Sequence, residues 1–411
     1  MKPDHHRIDA RGLFLAALML TNSPDTEADA VTDANARAAT IVSGGLPTFV
    51  AVRAMAIVQV STFEAVNAIT ARYPPGIARI EAAPDASVAA AVAAATRATL
   101  RHLVPAEQAT IDADYEAAMN SMPDGPAKAQ GIAVGEQAAA AVLTWRADDE
   151  AALVETYRPY TAAGVYVPTP LPIASSWGLR RPWLMARGDQ FRPDPPPSLA
   201  SDTWSRDYNE IKAVGAKDST QRTTEQHAIA RFWETTSPNV YWPVVRSVAT
   251  APGREVTENA RLLAMAGVAM DDALIAVFDA KYAYGFWRPI TAIRNGDLDG
   301  NDKTARDPGW VPLISTPMHP EYPCAHCIVS GALGAVLEAE IGEGPAPLLS
   351  SASPSAAGAV RTWTSVSEFV NEVAVARIFD GVHYRNSTEV GTAMGKRIGT
   401  LAAKGFPAAP H

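Results

Sequence analysis

The sequence predicts an all-α protein, and three observations carry that expectation. Over residues 50–70, Met55, Val58, Thr62, Ala65, Val66 and Ile69 recur at 3–4 residue spacing, which gathers them on one helical face. Residues 87–103 and 126–146 are rich in alanine with scattered charges, a composition of strong helix formers. No convincing alternating strand pattern and no fixed-period repeat runs through the chain. With 411 residues, 47% hydrophobic and 19% charged, the chain is long and apolar enough to bury a substantial core.

Taken in order, residues 1–30 open with Lys2, Arg7 and Arg11, then the apolar run Leu13-Phe14-Leu15-Ala16-Ala17-Leu18-Met19-Leu20. Ala28-Asp29-Ala30 then has a small-x-small pattern. This is a candidate secretory signal, and it favours a periplasmic or secreted location over a cytoplasmic one. Asp4, Asp9, Asp25 and Glu27 depart from the pattern, and an ordinary amino-terminal helix is the alternative. No apolar run reaches the ~20 residues of a membrane span. In the helix expected over 126–146, Gly125-Pro126 suits a first turn. Residues 157–200 carry nine prolines, at 159, 168, 170, 172, 182, 193, 195, 196 and 197, which excludes a continuous helix. Tyr157, Tyr160, Tyr166, Trp177 and Trp183 make the stretch too aromatic for a flexible linker. It reads as an ordered strap over a helical core, at the junction of two helical halves.

Helical periodicity resumes near 202. Thr223 with Gln226 forms a candidate capping box for a helix through Trp233. Further helices are expected over 257–283, 325–341, 365–380 and 387–403, with a polar Gly/Pro-rich loop at 295–320. Within it, Asp297-x-Asp299-Gly300-Asn301-Asp302 resembles a calcium loop. Its glycine is misplaced and position twelve is Pro308, so a solvated turn is the better reading. The organisation is one domain over 31–404, two helical halves joined by the strap, and a tail over 405–411.

The net charge of −9 argues against nucleic acid as a partner. Any cationic pocket must therefore be local. Two cysteines, Cys324 and Cys327, are too few for a disulfide framework. Their C-x-x-C spacing admits a dithiol redox motif or, with His319 or His326, a zinc site. No βαβ pattern surrounds it, and His326 has a better role.

That role belongs to three segments: Lys281-Tyr-Ala-Tyr-Gly-Phe-Trp-Arg288-Pro289, Pro323-Cys324-Ala325-His326, and Arg377-Ile-Phe-Asp-Gly-Val-His383. Lys281 and Arg288 are two helical turns apart, so one helix face can present both. The residues between them are mostly aromatic or apolar, so the cations are expected to be buried and to need an anion. A helix pattern starts just after Pro323. Cys324, Ala325 and His326 then fall in its first turn, where free N–H groups and the dipole attract anions.

The joint pattern K-x6-R-P, P-C-A-H and A-R-x5-H resembles that of the vanadium-dependent haloperoxidases and type 2 phosphatidic acid phosphatases. That superfamily carries K-x6-R-P, P-S-G-H and S-R-x5-H at comparable separations. The resemblance extends over roughly residues 31–404, in the bacterial haloperoxidase-like branch. It implies an all-α helical-bundle fold and a bound vanadate, with phosphate as a competing oxyanion. It also implies that Lys281, Arg288 and Arg377 bond the oxyanion oxygens, helped by the backbone of Ala325. His383 would be the vanadium ligand or, in a phosphatase, the nucleophile, and His326 would be the acid/base. His319 stands where bromide-type members carry histidine, so bromide or iodide is the expected halide.

Two departures stand out. Ala376 and Cys324 replace serines of the family pattern, and Ala325 replaces a glycine. A thiol at 324, beside three cations and a helix start, is expected to ionise easily, to repel a bound anion and to be oxidised by peroxide. The expected function is halide oxidation by hydrogen peroxide, with an organic acceptor as small-molecule partner and a homo-oligomer as an open state. A histidine phosphatase on the same cage is the alternative, and a peroxide-independent acid/base enzyme a second one.

Overall fold

The computed structural model describes residues 24–150 and 155–406. Thirteen α-helices, five short 3-10 helices and one two-stranded hairpin make up the regular structure of the described residues. The helices expected from periodicity form with nearly the predicted bounds: α2 (Thr48–Thr70), α3 (Val88–Leu103), α5 (Pro126–Trp145), α6 (Asp202–Val214), α7 (Thr224–Phe232), α9 (Val256–Tyr284), α11 (Ala325–Ile341), α12 (Val366–Phe379) and α13 (Arg385–Gly405). The capping box of α7 is present in both directions: Thr223 Oγ1 accepts from Gln226 N at 3.1 Å, and Gln226 Oε1 accepts from Thr223 N at 2.9 Å.

The first part of the signal reading, residues 1–23, lies outside the described residues, as do residues 407–411 of the tail. Ala28-Asp29-Ala30 falls within helix α1 (Pro24–Gly45). Three more helices lacked a sequence signal: α4 (Gln108–Asn120), α8 (Pro238–Ala249) and α10 (Pro289–Arg294). In α8 the internal Pro243 masks the helix, since proline removes a backbone donor there. The hairpin pairs β1 (Leu349–Ser353) with β2 (Ala359–Trp363), Leu349 opposite Trp363. Its buried positions in β1 include two serines. Ser351 donates to Val240 O at 2.7 Å and Ser353 to Phe232 O at 2.6 Å, so the apolar alternation that marks a strand is missing.

The larger of two hydrophobic clusters among the described residues runs from Val31 to Ala402, and a smaller one gathers Trp204, Tyr208, Trp287 and Tyr384. α9 is the axis of the larger one, with α2 packed on one side and α11 on another. Small residues set these approaches. A side-chain carbon at Gly267 of α9 would stand 3.0 Å from the Ala56 backbone of α2. Gly391, Gly395 and Gly399 form a smooth stripe on α13, against the carbonyls of Cys324, Ile328 and Ala332 on α11. That stripe fixes how deep the first turn of α11 sits. Helix α2 is long and apolar enough by composition to cross a membrane, but Arg53 and Glu64 interrupt it and 89% of its apolar window is buried within the protein.

Residues 157–200 carry no α-helix and only one short 3-10 turn, at Trp177–Leu179. The stretch is pinned to α9. Asp272 accepts from the backbone N–H of Trp183 and Leu184 at 2.7 and 2.9 Å, and Asp271 accepts from Trp183 Nε1 at 2.7 Å. Asp271 also binds Arg53 of α2 at 2.5 Å, and Arg53 reaches Asp149, so a buried ion network ties α2 to α9 and this stretch. The turn at 297–302 is not simply solvated. Asp299 is buried and accepts from Trp204 Nε1 at 2.8 Å and from Thr304 Oγ1.

Candidate oxyanion site

Lys281 is delivered by the last turn of α9, but Arg288 is not on the same helix as the sequence reading had it. Gly285 adopts a left-handed φ of 57° and ends α9, and Arg288 becomes the residue preceding α10, with Pro289 in its first turn. The two cations converge through this turn rather than along one helical face. Both are fully buried, at 0% and 1% exposure. Lys281 Nζ donates to the carbonyls of Pro320 and Glu321 at 2.9 and 2.7 Å. Arg288 donates to His319 O and Val382 O, each at 2.9 Å. These bonds tie the 319–323 turn and the loop before His383 to the end of α9.

Arg377 comes from the last turn of α12. Its Nη1 donates to Trp233 O at 2.6 Å, just beyond α7, and lies 2.7 Å from Asp380 Oδ2. α12 ends at Phe379, and Gly381, with φ of 85°, turns the chain so that His383 folds back on Arg377. The His383 backbone N donates to Arg377 O at 3.1 Å.

His383 is held at both ring nitrogens. Nδ1 lies 2.7 Å from Glu321 Oε1 and Nε2 lies 3.3 Å from Arg288 Nη1. Arginine only donates, so Nε2 is the lone-pair end, and Nδ1–H donates to the carboxylate. Glu321 Oε1 also accepts from Tyr384 N at 3.2 Å. His319 sits on the other fork of Arg288, its Nδ1 3.0 Å from Nη2, with its ring edge-on to Phe278.

His326 lies in the first turn of α11 next to Ala325, and its Nε2 is buried without a hydrogen-bond partner. Ala325 opens α11, where helix geometry leaves backbone N–H groups free.

Electrostatics follow from this dry, positive enclosure. Burial, reinforced by neighbouring cations, holds the three imidazoles well below the usual histidine range, so all are neutral bases near pH 7. For His326 those cations are Arg377, Lys281 and Arg288, which places it beside the same cage. Burial also pulls Lys281 well below its ordinary value and Arg288 down to about 10. The two carboxyls respond in the opposite direction. Burial raises Glu321 and Asp380 each to about 7, with the neighbouring cations opposing the rise.

The structure therefore brings Lys281, Arg288, His319, Arg377 and His383 together with the α11 start that carries Ala325 and His326. Cys324 requires a correction. Its sulfur is bonded to Cys327 in a disulfide, and both residues are fully buried. The ionisable thiol expected from the sequence does not exist in this state. Sγ instead caps α11 by accepting from Cys327 N at 3.2 Å. No cluster able to hold a metal through three or more His, Cys, Asp or Glu side chains occurs among the described residues, so the zinc alternative has no ligand set there.

Two residues of the site went unread in the sequence, Glu321 and Asp380. The signal was there in part. Glu321 is a charged residue in Pro320-Glu321-Tyr322-Pro323, immediately before the helix start. Asp380 follows Arg377 by three residues in an otherwise apolar run.

Residues 261–408 match the family model of the VCPO second helical-bundle domain, VCPO being vanadium chloroperoxidase. Among curated proteins, the vanadium chloroperoxidase of Curvularia inaequalis is 27% identical over 180 residues, 36% of this chain and only 29% of that protein's length. Among solved structures, a bacterial vanadium-dependent iodoperoxidase superposes with a TM-score of 0.76 at 24% identity, covering 92% of this chain and 96% of that one. The holo form of a bacterial vanadium-dependent chloroperoxidase superposes with a TM-score of 0.66 at 15% identity, over 87% of this chain and 91% of that one. These two likenesses establish a shared fold. The helical-bundle match falls on the segment that carries Lys281, Arg288, His326, Arg377 and His383, so this segment is similar to the second helical-bundle domain of vanadium chloroperoxidase.

Proposed function

We propose that the chain is a haloperoxidase that holds vanadate in this cage and oxidises bromide or iodide with hydrogen peroxide. The observation that carries the proposal is the double fixation of His383, with Nδ1–H on Glu321 and the Nε2 lone pair beside Arg288. A tetrahedral oxyanion fits the residues present. Three buried cations surround the position, and Arg377 Nε and His326 Nε2 are buried polar atoms with no hydrogen-bond partner among the described residues. Lys281, Arg288 and Arg377 would hold the anion's oxygens through charge-assisted bonds, with backbone donors from the α11 start at Ala325. His383 Nε2 would bind the central atom. Vanadate, when bound, supplies a Lewis-acid centre that activates peroxide toward halide.

The chain's own groups do the rest. Glu321 keeps the Nδ1 proton in place, so that His383 stays a lone-pair donor at Nε2. His326, a neutral base, takes a proton from an incoming hydroxyl at Nε2 and returns it to the leaving one. The surrounding burial excludes bulk water and strengthens each of these contacts. His319, bonded to Arg288 at the edge of the cage, is the residue we assign to halide preference. His319→Phe should shift relative turnover away from bromide and iodide toward chloride. The disulfide supports a peroxide enzyme, because it removes the oxidisable thiolate from the site.

A second reading follows from the same histidine. A carboxylate-oriented imidazole is also a good nucleophile toward phosphorus, with His326 protonating the leaving alcohol. A paired assay separates the two: bromination or iodination of a dye with vanadate and peroxide, against release of p-nitrophenol from its phosphate ester. Dye halogenation that requires both vanadate and peroxide supports the first reading. Phosphate release without halogenation refutes it.

A further inference from the structure

We infer that Asp380 sets the charge of the oxyanion this cage accepts, by occupying Arg377 and cancelling part of the cage's positive charge. The inference rests on the oxyanion reading of the site and deepens it.

The position of Asp380 is built. It directly follows α12 and is fully buried. Its Oδ1 accepts from Val382 N at 3.2 Å, which closes the turn around Gly381, and its Oδ2 lies 2.7 Å from Arg377 Nη1. The side chains of this pair are 1% and 0% exposed, so solvent does not screen the contact. The same Nη1 donates to Trp233 O, so Arg377 has one hydrogen-bond acceptor and one ion-pair partner, while its Nε and Asp380 Oδ2 have no hydrogen-bond partner among the described residues. Arg288 also acts on the Asp380 carboxyl.

The charge count then decides which anion fits. Lys281, Arg288 and Arg377 are three cationic side chains, and Glu321 and Asp380 two acidic ones, all fully buried. With all five ionised, the net is one positive charge. A trianionic oxyanion would leave two uncompensated negative charges in a dry enclosure, at high cost. A singly charged, protonated form matches the cage. Glu321 is committed to His383 and Tyr384. Asp380 touches neither histidine in these contacts. It is therefore the charge that can be removed without disturbing the ligand end of His383.

Asp380→Asn keeps the size and the acceptor for Val382 N and removes the charge. Inorganic phosphate and vanadate binding would be measured calorimetrically on the full chain, wild type against Asp380→Asn, with circular dichroism and thermal unfolding as checks of fold. Roughly tenfold or greater tightening for both anions is expected, the scale of losing one nearby like charge in a low-dielectric site. Unchanged or weaker binding in a folded variant overturns the inference and leaves the oxyanion reading standing. If wild type binds neither anion while the variant binds both, the inference holds and the vanadate reading of the native protein fails. If neither protein binds, both fail. Should the asparagine variant not fold, Asp380→Ser retains a short acceptor for Val382 N and carries the same expectation.

Discussion

Glu321 is the residue whose replacement tests the site most sharply. Glu321→Ala removes the acceptor of two buried donors, His383 Nδ1–H at 2.7 Å and Tyr384 N at 3.2 Å. Its backbone would still accept from Lys281, so the cation stays anchored. The imidazole then loses its charge-assisted bond, worth about 1.5–3 kcal/mol, which corresponds to roughly 10–100-fold in a property that depends on His383 orientation. Glu321→Gln differs, because an amide oxygen still accepts from both donors. It should lose only the charge-assisted share and keep the tautomer. The stability of the alanine variant has two opposed contributions. A cavity and unpaired donors cost about 2–4 kcal/mol. Against that, burial raises the Glu321 pKa to about 7, so its ionised form is itself costly above that pH. The assay is halide oxidation at saturating vanadate and peroxide, alongside phosphate affinity. Glu321→Ala is expected to lose turnover at least tenfold, and Glu321→Gln to lie between it and wild type. Alanine turnover within twofold of wild type, in a folded protein, would refute the positioning argument.

His326→Ala should lower turnover by about 10²–10⁴-fold, the usual worth of a general acid/base, while phosphate affinity measured calorimetrically changes much less. Burial raises the folded pKa of Asp380 above its ordinary value to about 7, so its contribution to stability is complete at low pH and is lost as pH rises through about 7. Unfolding midpoints compared at pH 5 and pH 8 should therefore favour Asp380→Asn over wild type more at pH 8, by on the order of 1–3 kcal/mol. An equal difference at both pH values would contradict the sign. Arg53→Leu leaves the buried Asp271 without its ion-pair partner, while Asp149 keeps Arg146, and should cost about 3–5 kcal/mol by denaturant unfolding. Unfolded, unreduced protein should show no titratable thiol, and two after reduction, because Cys324 and Cys327 are joined. One or two thiols before reduction would contradict the disulfide.

The helices were legible because their signals are local. The 3–4 residue apolar spacing of 257–283, the alanine-rich 126–146 segment and the Thr223–Gln226 box each state their structure within a few turns of chain. The groups proposed for the cage, Lys281, Arg288, His326, Arg377 and His383, were singled out by a spacing that resembles the vanadium haloperoxidase pattern. Everything that depended on a partner far along the chain was not legible. A hairpin held by Ser351 and Ser353 on the ends of α8 and α7 has no apolar alternation to read. The two-turn spacing of Lys281 and Arg288 was compatible with one helix face, and only the left-handed Gly285 shows that the helix stops between them. Whether Cys324 is a thiolate or half of a disulfide depends on where Cys327 points after α11 packs on the glycine stripe of α13. The two carboxylates were invisible as parts of the site for the same reason. Glu321 meets His383 across 62 residues of chain, and Asp380 acquires its meaning only when α12 carries Arg377 against Trp233. Sequence singled out the groups that we propose make an oxyanion cage. Tertiary structure decided which carboxyls stand beside them, because Glu321 and Asp380 are buried against His383 and Arg377 only in the folded chain.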